Sequence, residues 1–261
     1  MEKSMTLGVR RGGNRCGQGF VGKESCPTVQ AFTRLELVLV LVILSVTAAL
    51  VLPSILRTQP RFQRAICQNN LRQTGQSFHS WAAEHDNSYP WLVPGSTGGS
   101  ASQAESVPAS APLASQAWFQ FAALSNELAA PKILACPSDT NRWPNRAADW
   151  GDGAGGFSHA THRNRSLSYF AGLHASVDAP DSVLSGDRNV RGLGLGVCRP
   201  GLALATVVRA EPAVRWINGL HDGAGHFLHN DGRVELVSNS GMIGALDHLC
   251  RNQNETHWLI P

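Results

Sequence analysis

From Leu37 to Leu52 the chain reads LVLVLVILSVTAALVL, sixteen residues without a charge. Continued through Pro53 to Leu56, the run reaches 20 residues. That is the length of helix that crosses a hydrocarbon core of roughly 30 Å. No second run of this kind occurs in the sequence, so the pattern predicts at most one crossing. The pattern then changes. Phe62, Ile66, Leu71, Thr74, Phe78 and Trp81 recur at spacings of three to five, with Ala65, Cys67 and Ala82 on the same side. This is one apolar stripe on a helix over 54–85. Pro60 is expected to disturb its start, and Tyr89-Pro90 to close it.

Residues 94–116 (PGSTGGSASQAESVPASAPLASQ) are Ser, Gly, Ala and Pro, and read as a flexible exposed loop. A short helix is expected over 117–130 and irregular chain over 141–165. Strand-like runs follow at Leu167–Leu173, Ser182–Leu184, Leu204–Arg209 and Val214–Ile217. The clearest local signal is the pair Gly225–His229 and Arg233–Val237 around Asn230-Asp231-Gly232, which predicts a hairpin with Val234 and Leu236 on one face. A helix over Gly241–Cys250 and a final edge strand over His257–Pro261 complete the expectation. The fold class is α+β, a long helix on a small antiparallel sheet.

Charge sharpens the topology. Residues 1–31 hold five basic and two acidic groups, which leaves 17 of each for residues 32–261. A basic leader before the apolar run predicts a cytoplasmic N-terminus and an exported C-terminal part, with Arg57, Arg61 and Arg64 on the far side. The neutral remainder, with Lys132 as its one lysine, excludes an electrostatic footprint for nucleic acid. Charged residues are 16% of the chain, too few for a charged disordered tail or a coiled coil.

A secretory signal carries its small-residue cleavage site after the apolar core. Here the small residue comes before it, in Gln30-Ala31-Phe32-Thr33-Arg34-Leu35-Glu36-Leu37. A glutamate at the mouth of an apolar span is costly and calls for a partner. This order of residues resembles the N-terminus of type IV prepilins and type II secretion pseudopilins. The resemblance implies cleavage of Ala31–Phe32 by a prepilin peptidase and methylation of the new Phe32 amine. It implies pairing of Glu36 with the N-terminal ammonium of a neighbouring subunit, and a helix kink at Pro53. Ala31 stands where the family usually has Gly, and Arg34 where it usually has an apolar residue.

Further blocks resemble a pilin-like subgroup found in planctomycete and verrucomicrobial genomes. They are Cys67-Gln68-Asn69-Asn70-Leu71-Arg72-Gln73-Thr74-Gly75, Cys136-Pro137-Ser138-Asp139, Ser168-Tyr169-Phe170, Gly186-Asp187-Arg188-Asn189, and His221 followed after nine residues by Asp231-Gly232. The resemblance implies a leader (1–31), a membrane and filament-core helix (32–56), an exported continuation of that helix (57–93), the loop (94–116) and a periplasmic pilin-like domain (117–261). It implies a pseudopilin of a type II secretion system: a single-pass protein of a bacterial inner membrane, and a substrate of enzymes rather than an enzyme. Its partners would be other pseudopilins, the prepilin peptidase, the inner-membrane secretion platform and lipid. A minor type IV pilin for adhesion or DNA uptake, and an anchored periplasmic domain that never polymerises, are the alternatives. Where the subgroup often has Gly-Asn and an apolar strand, this chain has Gly225-His226 and His229-Asn230, so that strand is expected to be more exposed or less stable.

Candidate chemistry is sparse. His221 with Asp231 has the residue types of an acid/base pair, but their place around a hairpin favours a His that orders the turn. His159 and His162 lie in an Arg-rich loop. His226 and His229, three apart in a strand, face opposite sides. Neither pair reads as zinc-binding, and no cofactor is expected. By analogy with pseudopilins that bind calcium through loop oxygens, Asp178, Asp181 and Asp187, or Asp149 and Asp152, are weak calcium candidates. Gly192-Leu193-Gly194-Leu195-Gly196 does not match a nucleotide fingerprint and reads as a flexible loop. Beyond the leader remain Cys67, Cys136, Cys198 and Cys250, which allow three disulfide connectivities or four buried thiols. The working expectation is Cys67–Cys136 and Cys198–Cys250.

Overall fold

A computed structural model describes residues 33–100, 117–196, 205–250 and 256–261. Ala31, Phe32, Cys198 and most of the 94–116 loop therefore lie outside the described residues, as does the Pro53 side chain. By internal packing the chain divides into two units, Met1–Leu52 and Pro53–Pro261.

In the first unit the described residues are helical from Arg34, the start of α1 (Arg34–Ala83). Thr33 caps it. The Glu36 amide donates to Thr33 Oγ1 at 3.2 Å, and the Thr33 amide donates back to Glu36 Oε2 at 3.3 Å. This reciprocal capping box satisfies two of the free amides that every helix start leaves. Arg34–Leu52 is long and apolar enough to cross a membrane once, at about 28 Å for 19 residues. None of it is buried in protein, and Leu35 is 80% exposed.

In the second unit α1 runs through Pro60 without a break and ends at Ala83, two residues short of the expected end at 85. The expected disturbance at Pro60 does not interrupt it. After the short helix α2 (Ala117–Ala122) the described residues form nine strands: β1 (Tyr169–Gly172), β2 (Val183–Asp187), β3 (Val190–Arg191), β4 (Gly194–Gly196), β5 (Ala205–Val208), β6 (Arg215–Trp216), β7 (Ala224–His229), β8 (Val234–Ser238) and β9 (Thr256–Leu259). Helix α3 (Asn239–Cys250) lies between β8 and β9. Seven strands form one sheet in the order β4-β5-β9-β1-β2-β7-β8, and every pairing in it is antiparallel. Strands β3 and β6 pair separately.

Alternation along the strands builds two cores, because successive side chains point to opposite faces. Tyr169, Ala171, Leu184, Leu228 and Leu259 join Cys67, Leu71, Phe78 and Trp81 of α1. Phe170, Val183, Phe227, Val237 and Trp258 join Met242 and Leu246 of α3. The sheet is thus covered on both faces, not on one as expected. Each fully buried Leu or Phe contributes about 1.5–3 kcal/mol.

Three expectations need correction. Strand β9 is interior, paired with β5 and β1, because Thr256–Leu259 is buried throughout and Trp258 stacks on Phe170 at 4.2 Å. Gly194–Gly196, read as loop, is the edge strand β4. The start of the 94–116 segment is built in: Ser100 is buried, and its Oγ donates to Gln120 Oε1 at 2.5 Å. On the opposite edge strand Val234 is buried, whereas Leu236 is 48% exposed.

Gly186 sits where β1, β2 and β7 meet. A Cβ there would lie 2.6 Å from both the His226 carbonyl oxygen and the Phe170 ring. Backbone on one side prevents relief by a rotamer change. Gly186→Ala is therefore expected to destabilise the unit by about 2 kcal/mol, an overpacking cost. Urea unfolding followed by far-UV circular dichroism checks it; an unchanged midpoint would contradict this contact.

Candidate functional site

Most of the blocks singled out in the sequence come together beneath α1, Asp231-Gly232 excepted. Cys67, on its buried face, is bridged to Cys136, as expected. The Cys136-Pro137-Ser138-Asp139 turn is then held from two sides. Ser168 Oγ receives the Cys136 amide at 3.0 Å and donates to Asp139 Oδ2 at 2.9 Å. Arg188 grips the same carboxylate with both ends of its fork, Nε to Oδ2 at 2.8 Å and Nη2 to Oδ1 at 2.9 Å. Next to Arg188, Asn189 donates to the Ile217 and Ala224 carbonyls.

Asp187 turns to the α1 side of the sheet, toward His221 and His226. The β2–β7 register pairs Gly186 with Phe227, which sets Asp187 opposite His226. The His226 amide donates to Asp187 Oδ2 at 2.7 Å, and its ring Nδ1 lies 2.9 Å from the same oxygen. His221 Nε2 approaches Oδ2 at 3.4 Å and Cys136 Sγ at 3.7 Å. The three side chains are 0–4% exposed. Two polar atoms of the cluster, Asp187 Oδ1 and His221 Nδ1, have no hydrogen-bond partner among the described residues. Burial pushes the His221 imidazole below its ordinary value; Asp187 pulls it back, and His226 and Arg64 add to the depression. The ring is therefore neutral at pH 7. Burial, and after it the Asp187 charge, pushes the Tyr169 phenol well up.

His221 does not meet Asp231. The carboxylate beside it is Asp187, and Asp231 lies in the hairpin turn, where its Oδ1 receives the Arg233 amide at 2.8 Å. Gly232 takes φ +83°, the left-handed position that closes the turn. The expectation that His221 orders the turn backbone is thus replaced by a buried ring–carboxylate contact. The calcium candidates also separate: Asp187 serves the two histidines, Asp181 faces Arg233, and Asp178 is exposed. His226 and His229 do face opposite sides of β7, His229 reaching the Asp181 carbonyl and Glu235.

The polar end of β7 is buried rather than exposed, because most of its polar groups find partners in distant segments. Asn230 accepts from the Tyr89 hydroxyl and donates to the Ser176 carbonyl at 2.8 Å, and its own carbonyl meets His79 of α1 at 2.7 Å. Burial of the Tyr89 phenol pushes its pKa up. Cys250 is buried in α3.

Compared with known proteins, the chain matches no family model, no curated protein and no solved structure.

Proposed function

We propose that this chain is a prepilin-type subunit, a pseudopilin of a type II secretion pseudopilus. In this reading a prepilin peptidase removes residues 1–31 and methylates Phe32. Residues from Phe32 onward then leave the inner membrane to line the filament core, while the C-terminal unit stays in the periplasm. The chain is a structural part and a substrate, with other pseudopilins and the secretion platform as partners.

Glu36 carries the reading. It stands in the first turn of an apolar, fully exposed segment, and its capping box meets its hydrogen bonds but not its charge. A carboxylate at that depth requires a cation. The ammonium of a neighbour's Phe32 supplies one, four residues along the same motif. The Cys67–Cys136 bridge adds support, since such bridges persist in oxidising compartments such as the periplasm.

The intact mass of the membrane-fraction protein, made alongside its prepilin peptidase, tests the processing. A mature chain beginning at methylated Phe32 is expected. A chain retaining residues 1–31, or one cut near Ala49, would sink the proposal. Glu36→Leu tests assembly. Membrane insertion should be unchanged, and crosslinked multimers reduced at least about tenfold, since an uncompensated ammonium costs several kcal/mol. Undiminished multimers would leave a plain anchor.

A further inference from the structure

The geometry points to a transition-metal site of the zinc class formed by Asp187, His221 and His226. This inference is independent of filament assembly. The three come from the end of β2, the turn before β7 and β7 itself, and each offers one ligand atom within 4.8 Å of the others. Two ligands at about 2.0–2.1 Å from a tetrahedral ion are about 3.3 Å apart. The two ring-to-carboxylate spacings here are 2.9 and 3.4 Å.

Charge and hydrogen bonding argue the same way. Asp187 is fully buried, and among the described residues no Lys or Arg pairs with it. Its sequence neighbour Arg188 is committed to Asp139. The His226 amide and both rings crowd onto Oδ2, while Oδ1 accepts no hydrogen bond from the described residues. A buried carboxylate so arranged lacks a positive charge, and a bound cation supplies it. Two imidazoles with one carboxylate select zinc, cobalt, nickel or copper over calcium and magnesium, which take oxygen ligands. The nearby Cys67–Cys136 sulfurs are joined to each other, so neither is a thiolate ligand. Three protein ligands then leave one position for solvent.

The test uses the full chain in detergent, purified without a histidine tag, freed of metal by a chelator and titrated with Co²⁺. Wild type should bind one equivalent with visible bands of tetrahedral intensity. X-ray absorption should show a nitrogen/oxygen first shell with imidazole scattering. His226→Gln and Asp187→Asn should each weaken binding by about 100-fold or more, while His159→Gln binds as wild type. Less than about 0.2 equivalent in wild type would overturn the inference, leaving a proton between the rings and the carboxylate. Undiminished binding in both cluster variants would place the ion elsewhere and overturn it too. Sulfur in the first shell would do the same. Should the variants fail to fold, the wild-type stoichiometry and absorption spectrum decide.

Discussion

Replacing Cys67 and Cys136 together by alanine is expected to lower the stability of the Pro53–Pro261 unit by about 4 kcal/mol, the loop-closure entropy for cysteines 69 residues apart. For a unit of this size that is a fall of about 8–16 °C in Tm. The effect is large because the bridge constrains the unfolded chain over a long loop. Natively it joins α1 to the turn that Ser168 and Arg188 hold against the sheet. Alanine is the better replacement, since serine would bury hydroxyls at positions with no exposed surface. Thermal melts of the wild type with a dithiol reductant should move toward the double variant and stop there. A shift under 2 °C would mean that α1 stays docked through its apolar face alone, with Leu71, Phe78 and Trp81 already ordered against the sheet in the denatured ensemble.

Much of this fold was legible from local pattern. The apolar run and the stripe from Phe62 to Trp81 are properties of a few turns of chain, and α1 follows from them; the stripe is buried only from Cys67 onward, and Phe62 and Ala65 at its start are exposed. The hairpin was visible in Asp231-Gly232, because a left-handed turn position leaves a glycine signature. Helix α3 was found two residues short at its start. What failed was non-local. Nothing within His257–Pro261 says that it will be paired on both sides; that depends on where β5 and β1 lie. Strand β4 was missed since Gly194 and Gly196 carry no β-forming side chain, and its order comes from β5.

The site shows the same division. The blocks themselves were visible as blocks, and the Cys67–Cys136 bridge was among the expected pairings. Their mutual arrangement was not visible. His221 and Asp231 stand ten apart and invite pairing, yet a strand separates them. Asp187, 34 residues before His221, reaches it through the β2–β7 register. The polar tail of β7 misled for a related reason. Polarity predicts exposure unless partners are supplied, and Tyr89, His79 and Ser176 supply them from distant segments.

Arg188→Met is expected to cost about 3–5 kcal/mol, since it strands the Asp139 carboxylate in the interior. Asp139 is fully buried, and Arg188 provides its only ion pair among the described residues. The remaining donors, the Ser168 hydroxyl and the amides of Asn141 and Arg142, are dipoles. A second guanidinium stands near. Burial, and next the repulsion of Arg188, pushes the Arg142 pKa down, so removing Arg188 relieves it. Its fork is not on Asp139, however, and moving there would break the contact of its Nη2 with the Pro261 carbonyl. Arg188→Lys should fall between wild type and Arg188→Met, because an ammonium replaces the charge but not the two parallel bonds. Combining Asp139→Asn with Arg188→Met should recover at least about 1.5 kcal/mol relative to the sum of the single changes, as expected for directly coupled groups. Denaturant unfolding of the four proteins measures that coupling. If the changes simply added, the Asp139–Arg188 pair would be a bystander. The attachment of the Cys136 turn to the sheet would then rest on Ser168 alone.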